Sequence, residues 1–259
     1  MPASIIDTHC HLFSEEFDTD RDSCIQRAMQ AGVQKILLPN IDSQSIKALY
    51  QTERMYPSVC YAMMGLHPTS VKENYAEELQ KIYTELSKRK FVGIGEIGID
   101  LHWDKQFINE QKVAFRTQLE WAIDRNYPVS IHCREAFDEI FEVLDRLPTL
   151  PKGVFHCFAG TQEQAQKILR YRTFKLGIGG VLTFKKSSLS QVLEFVDISH
   201  LVLETDAPYL APSPFRGKRN EPSYIKWIVE KLADIKHLSI DSVVQQCYIN
   251  TLQIFSPFE

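Results

Sequence analysis

Eight short apolar runs, each followed by a helical stretch, constrain the fold of this chain more than any single motif does. The runs fall at 4–7, 35–38, 59–64, 91–96, 128–131, 153–155, 174–178 and 200–203. Helical periodicity fills the intervals at about 20–31, closed by Gly32, and at 43–55, 76–89, 110–125, 135–147, 162–171 and 188–196, with two more helices at 223–236 and 240–254. The strand runs are nearly all apolar, as parallel strands are when helices cover them. A length of 259 residues suits one α/β unit of this kind, and no linker rich in Pro, Gly or Ser divides it. The expectation is a single (β/α)₈ TIM barrel over 1–259. A doubly wound open sheet would place Gly-x-Gly-x-x-Gly after the first strand, and here His9-Cys10-His11 stands in that place.

In a barrel, catalytic groups project from the carboxyl ends of the strands. The ionisable residues register with those ends. The first run leads to His9 and His11, the third to Gly65-Leu66-His67-Pro68, the fourth to Glu96 and Asp100, the fifth to His132, the sixth to His156, and the eighth to Glu204-Thr205-Asp206. Five of the eight histidines lie there. On a strand, His9 and His11 would share a face about 7 Å apart, at ~3.3 Å per residue. His9, His11, His132, His156, Glu96 and Asp206 are too many donors for one tetrahedral ion, so two divalent ions are expected, with Glu96, central in strand order, as the bridge. Nitrogen-rich ligands favour zinc, nickel or manganese over magnesium, and carboxylates soften that preference; the identity stays open among Zn, Mn, Mg and Ni.

The same alternation sends Cys133 and Cys157 outward to the helices once His132 and His156 face the mouth, and it treats Cys10 likewise as a small packed thiol. His102, His200 and His237 read as surface or strand-start residues. His67 either contacts substrate or caps its turn, with the strand-end position favouring substrate. Asp7 either orients an imidazole or finishes its strand.

The stretch from Asp206 to Pro222 is stiffened by prolines and concentrates Arg216, Lys218 and Arg219 in a chain whose net charge is −4. A basic loop beside a dimetal site is what a phosphate ester would require, and Arg134, two residues after His132, joins it. The acidic balance argues against a protein that coats nucleic acid, so phosphate recognition must be local. Met1-Pro2-Ala3-Ser4 has neither a basic nor an apolar leader segment and no run approaches the ~18 residues of a membrane span, so a cytoplasmic location is expected. The six cysteines show no disulfide framework and read as thiols. No obligate protein partner is evident, and a monomer is expected.

These motifs together resemble the TatD-type deoxyribonucleases, metal-dependent hydrolases with a (β/α)₈ barrel. The matching pieces are Asp7-Thr8-His9-Cys10-His11, Gly65-Leu66-His67-Pro68, Gly95-Glu96-Ile97-Gly98-Ile99-Asp100, Ile131-His132-Cys133-Arg134, Phe155-His156-Cys157-Phe158, Gly179 to Lys185, Glu204 to Leu210 and Arg216 to Pro222. The resemblance implies that His9, His11, Glu96 and Asp206 hold one metal and Glu96, His132 and His156 the other, with activity on DNA phosphodiesters. Two positions depart from the family pattern: Leu101 stands where an aromatic residue often follows Asp100, and Ala159 where a serine often follows Phe158. Neither removes a ligand. The leading expectation is a 3'-5' exonuclease-like deoxyribonuclease in which a dimetal-activated water cleaves the phosphodiester and Asp206, with Glu96 beside it, takes the catalytic role; His67, Arg134, Arg216, Lys218 and Arg219 would bind substrate. The alternatives are hydrolysis of a cyclic amide, lactone or aminoacyl ester such as D-aminoacyl-tRNA, and a non-enzymatic metal-binding scaffold.

Overall fold

A computed structural model describes residues 4–103 and 105–255. The start at Met1-Pro2-Ala3, part of the stretch read above as lacking a leader, lies outside the described residues. Eight parallel strands alternate with helices: β1 (Ile5–Asp7), α1 (Arg21–Gln30), β2 (Val33–Pro39), α2 (Ile46–Met55), β3 (Cys60–Met63), α3 (Tyr75–Lys88), β4 (Ile94–Asp100), α4 (Ile108–Arg125), β5 (Val129–Arg134), α5 (Phe137–Asp145), β6 (Gly153–Phe155), α6 (Gln162–Arg170), β7 (Phe174–Ile178), α7 (Leu189–Phe195), β8 (Leu201–Leu203), α8 (Ile225–Lys236) and α9 (Ile240–Ile254).

The ladders run β1-β2-β3 and β4-β5-β6-β7-β8, and hydrogen bonds at two seams join them into a barrel. At the first seam Met63 bridges Gly93, and the amide of Met64 donates to Gly93 O at 3.2 Å. The chains come so close here that a Cβ on Gly65 would lie 2.7 Å from the Gly95 carbonyl carbon, which only glycine avoids. At the second seam Thr8 N donates to Leu203 O at 3.0 Å and Asp206 N to His9 O at 2.8 Å, so the ends of β1 and β8 are locked together where two candidate ligands emerge.

Strand alternation sorts the core. Leu37 packs inward with Ile6, Met63, Val154 and Val202, while its neighbours Ile36 and Leu38 belong to the larger outer core with Ala28 and Leu49. The inner layer is completed from below by Ile254 and Phe255 at the end of α9. The helix is held there by Asn250, whose side-chain amide donates to Ile198 O and Leu201 O, both at 2.7 Å. Polar side chains on α4 fix two strand ends. Gln118 accepts from Leu66 N at 2.7 Å and Gln111 accepts from Asp100 N at 2.8 Å.

Candidate metal centre

Glu96 reaches the barrel mouth from within β4, which runs to Asp100 rather than ending near 96. The register of β4 on β5 shifts between Ile94 and Ile97, and in that irregular stretch Glu96 N donates to Asn40 O at 3.0 Å. Asn40 is itself tied to Gly65 O at 2.9 Å, so the ends of β2, β3 and β4 share one hydrogen-bonded anchor. The buried carboxylate that results has different company at each oxygen. Oε2 lies 3.0 Å from His9 Nε2 and 3.3 Å from His11 Nε2. Oε1 lies 2.8 Å from His132 Nδ1, 2.8 Å from His156 Nε2 and 3.1 Å from His67 Nε2. Asp206 Oδ1 completes the first group, 3.8 Å from His9 Nε2 and 3.6 Å from His11 Nε2.

These spacings can be tested against a metal. Donors held ~2.0–2.1 Å from a tetrahedral ion stand about 3.3–3.4 Å apart along each edge. The first group spans 3.0 to 3.8 Å with His9 Nε2 and His11 Nε2 3.3 Å apart, and the second 2.8 to 3.4 Å with His132 Nδ1 and His156 Nε2 3.2 Å apart. Imidazole nitrogens and carboxylate oxygens converging at such distances fit a shared cation. His9, His11 and Asp206 lie close enough to hold one ion; so do His9, Glu96 and His156, and His67, Glu96 and His132. All six residues expected as ligands are thus brought together. His67, expected to touch substrate, joins the donor set itself, and its Nδ1 also accepts from Thr69 N at 3.1 Å, so it caps its turn as well.

Strand alternation does not produce this geometry at β1, because the strand ends at Asp7. The rings of His9 and His11 are 5.1 Å apart and edge-on, closer than the ~7 Å an extended strand would give. Asp7 accepts from the backbone amide of His9 at 3.3 Å rather than from its ring. Its Oδ1 accepts from Thr205 N at 2.9 Å and its Oδ2 from Thr205 Oγ1 at 2.5 Å, binding the end of β1 to the end of β8. Burial pushes its carboxyl up to about 8.

The outer nitrogens of two ligand histidines, His9 and His132, are positioned by residues to which the sequence reading gave no role. Ser130 Oγ lies 2.9 Å from His9 Nδ1, and Asp100 Oδ2 lies 2.9 Å from His132 Nε2. Glu204, fully buried, accepts from the Cys157 amide and faces His156 Nδ1 at 3.7 Å, too long for a hydrogen bond, so its charge rather than a bond acts on that imidazole. It occupies space that only a glycine leaves, since a Cβ on Gly177 would come 2.2 Å from Glu204 Oε2. Partners such as Ser130 and Asp100 fix imidazole orientation and tautomer. The available signal was position: Asp100 and Glu204 both stand at strand ends, within four residues of a ligand.

Burial is the largest single influence on these groups, and the charges around each decide whether it prevails. It holds His9 well below the usual histidine value, reinforced by His156, and lowers His67, so both present neutral nitrogens. Burial also opposes charge on Glu96, but the surrounding imidazoles outweigh it and keep the carboxylate well below its ordinary range. On His156 burial works against protonation, and Glu96 and Glu204 overcome it. Asp206 is pushed by burial up to about 6. Its backbone is left-handed, with φ 57°, as is that of Cys157, with φ 46°, a conformation that costs non-glycine residues free energy and clusters at functional sites.

Cys157 lies beyond its strand with that left-handed backbone. The strand ends at Phe155, so alternation does not carry Cys157 outward. Its amide donates to Glu204, and burial and then the charges of Asp206, Glu204 and Glu96 raise its thiol. Cys10 is buried in the outer core with Sγ 3.6 Å from Ala207 O. Cys133 is half-buried against the outer core.

The basic residues divide. Arg219 departs from its expected role: its guanidinium holds both oxygens of Asp20 at 2.6 and 2.8 Å and donates to Glu16 O at 2.6 Å, so its donors are engaged in anchoring the loop to the start of α1. Arg216 is exposed with its guanidinium 3.8 Å from the Phe184 ring centroid, and Lys218 is exposed. Arg134 is exposed at the end of β5, 5.2 Å from the Trp103 ring centroid. Of the two departures from the family pattern, Leu101 is buried and Ala159 is exposed.

The chain is similar to known proteins over nearly its whole length. The family model described as TatD related DNase matches residues 6–256. The chain is 35% identical over 253 residues to YabD of Bacillus subtilis, an uncharacterized metal-dependent hydrolase, covering 97% of this chain and 98% of YabD. It is 31% identical to a 3'-5' ssDNA/RNA exonuclease TatD of Erwinia billingiae, covering 97% and 98% of the two chains. The crystal structure of YjjV, a TatD homologue from Escherichia coli, superposes with a TM-score of 0.91 at 32% identity, covering 99% of this chain and 100% of YjjV. A match of this extent, on a barrel whose mouth gathers histidines around a buried glutamate, makes the chain a member of the TatD-related DNase family of metal-dependent hydrolases.

Proposed function

We propose that this enzyme hydrolyses phosphodiester bonds of single-stranded nucleic acid, DNA foremost, from the 3' end, with two divalent ions held at the barrel mouth. The observation that carries the reading is the division of Glu96 between two donor groups, which lets one carboxylate serve both ions. His9, His11, Glu96 and Asp206 would hold one ion, and Glu96, His132 and His156 the other, with His67 in reach of the second. When bound, the ions would polarise the phosphoryl group and acidify water. The chain supplies the rest. Asp206, whose carboxyl burial brings to about 6, is suited to accept the proton released in hydrolysis near neutral pH. Ser130 and Asp100 keep the imidazoles of His9 and His132 aimed. Arg134, Arg216 and Lys218, exposed around the rim, attract the phosphate backbone in a chain of net charge −4. Relatives named as 3'-5' ssDNA/RNA exonucleases support the polarity and the substrate. The enzyme is read as a cytoplasmic monomer acting without a protein partner; among the described residues no helix is long and apolar enough to cross a membrane.

The deciding experiment measures metal content together with products from end-labelled single-stranded DNA, beside a dihydropyrimidine and an aminoacyl ester. Stepwise release of nucleotides from the 3' end, lost in Glu96→Ala, is expected. Undiminished release by that variant, or turnover of the amide or ester instead, overturns the reading.

A further inference from the structure

Just beyond β4 the chain exposes a tryptophan that the hydrolytic centre does not use. Trp103 is 70% exposed, although large aromatic side chains are among the most buried on average. It is not a loosely placed surface residue. Asp100 Oδ1 accepts from His102 N at 2.9 Å and from Trp103 N at 3.3 Å, while Oδ2 of the same carboxylate holds His132 Nε2 at 2.9 Å. One buried carboxylate therefore fixes both a ligand of the metal centre and the turn that carries the indole. Around the ring, the Arg134 guanidinium lies 5.2 Å from its centroid and the His102 ring packs edge-on at 5.0 Å and 84°. His102 is in turn held by Glu135 at 2.6 Å. Two neighbours thus brace the indole, and most of its surface still faces solvent.

We propose that Trp103 is a stacking face for a nucleobase of the bound strand, with Arg134 beside it for the adjoining phosphate. The inference rests on the nuclease reading and adds to it the part of the substrate that is recognised. An indole offers a π-face that any base can cover, and a cation over the ring, as Arg134 is here, suits an anionic backbone, the combination by which single strands are held without sequence preference. The position is referenced to the metal centre through Asp100, so a base stacked there sets the register of the strand against the reacting phosphate.

The test compares a single-stranded oligodeoxynucleotide with an abasic strand of equal length, which keeps the phosphates and lacks the bases. The wild-type preference for the base-bearing strand, as a ratio of kcat/KM values, should fall about 5- to 150-fold in Trp103→Ala, mainly through KM, and recover in part in Trp103→Phe. An unchanged ratio overturns the proposal. A second reading does not depend on turnover. Phosphorothioate strands, which resist cleavage, are titrated against the enzyme while tryptophan emission is followed. Quenching by the base-bearing strand that is weak with the abasic strand and lost in Trp103→Phe supports stacking. Equal quenching by both strands, or quenching that persists in Trp103→Phe, overturns it. If the wild-type enzyme hydrolyses neither strand, the nuclease reading fails by itself and the emission titration still decides the stacking.

Discussion

The two ends of the barrel are built from the same strands and solve opposite problems. At the amino end, Ile6, Leu37, Met63, Val154 and Val202 close on Ile254 and Phe255 as an apolar plug, with Tyr61 packed against it and the buried Lys175 beside Val154 as its polar fringe. A few residues further along, the chain presents His9, Glu96, His132, His156 and Asp206, all gathered around one buried carboxylate. The plug stabilises the fold by removing apolar surface from water; the mouth buries polar groups that cost free energy to desolvate. Stability and chemistry are thus segregated along the barrel axis. The floor should tolerate no loss of volume, while the mouth should tolerate loss of charge in the fold but not in the reaction.

The largest effect that could break this contrast belongs to Glu96. Glu96→Gln keeps the shape but removes the negative charge and turns one oxygen into an NH2 donor, so hydrolysis should fall by more than the roughly 10²–10³-fold that removal of one stabilising donor costs. Metal content by elemental analysis should fall with it, whereas the midpoint of urea unfolding should hold or rise. A variant that lost stability as the floor variants do would show the mouth to be structural. Phe255→Ala is the converse at the other end. Opening a cavity under the inner layer should cost about 3–5 kcal/mol in urea unfolding. Its kcat and KM, measured well below the unfolding transition, should match the wild type; a changed KM would mean that the floor sets the geometry of the mouth.

A smaller effect lies between the two. Asp100 touches His132 without belonging to the donor set, so Asp100→Asn should lower metal affinity and activity about 10–100-fold. Competition with a chelator reads the affinity. An effect on activity with no change in metal affinity would show that Asp100 acts through the Trp103 turn alone.

The sequence exposed the two ends of the barrel unequally. The runs at 153–155 and 174–178 coincide with β6 and β7, because each is a compact apolar segment flanked by polar or turn residues. The run at 91–96 is offset from β4, since Gly93, Gly95 and Gly98 dilute its apolar pattern and the strand continues through Ile97 and Ile99. The donor set was visible because ionisable residues are conspicuous where apolar strands end. Its arrangement was not. Alternation failed at His9 and at Cys157, where β1 and β6 had already stopped, and His67 met Glu96 only through folding of the β3 end onto β4. Ser130 and Glu204 gained their roles from partners distant in sequence, which residue type alone does not reveal. Arg219 shows the limit most plainly: a run of basic residues gives no hint that one of them pairs with Asp20, 199 positions away.

That pairing supplies the smallest and sharpest test, because it separates anchoring from substrate binding within one loop. Hydrogen bonding from Arg219, with help from Arg27, lowers the Asp20 carboxyl to about 2 from 3.8. A carboxylate depressed on folding adds stability that is present above its unfolded value and is lost as pH falls through its folded value. Asp20→Asn should therefore cost at most about 1 kcal/mol at pH 7, the range of a partly exposed ion pair, and urea unfolding should show the gap to wild type closing between about pH 4 and pH 2. Arg219→Ala should cost a similar amount and leave KM for single-stranded DNA as it was, whereas Arg216→Ala should raise KM with little change in stability. If Arg219→Ala raised KM as much as Arg216→Ala, the loop would bind substrate along its whole length, and the division between the anchored and the exposed cations of the rim would fall.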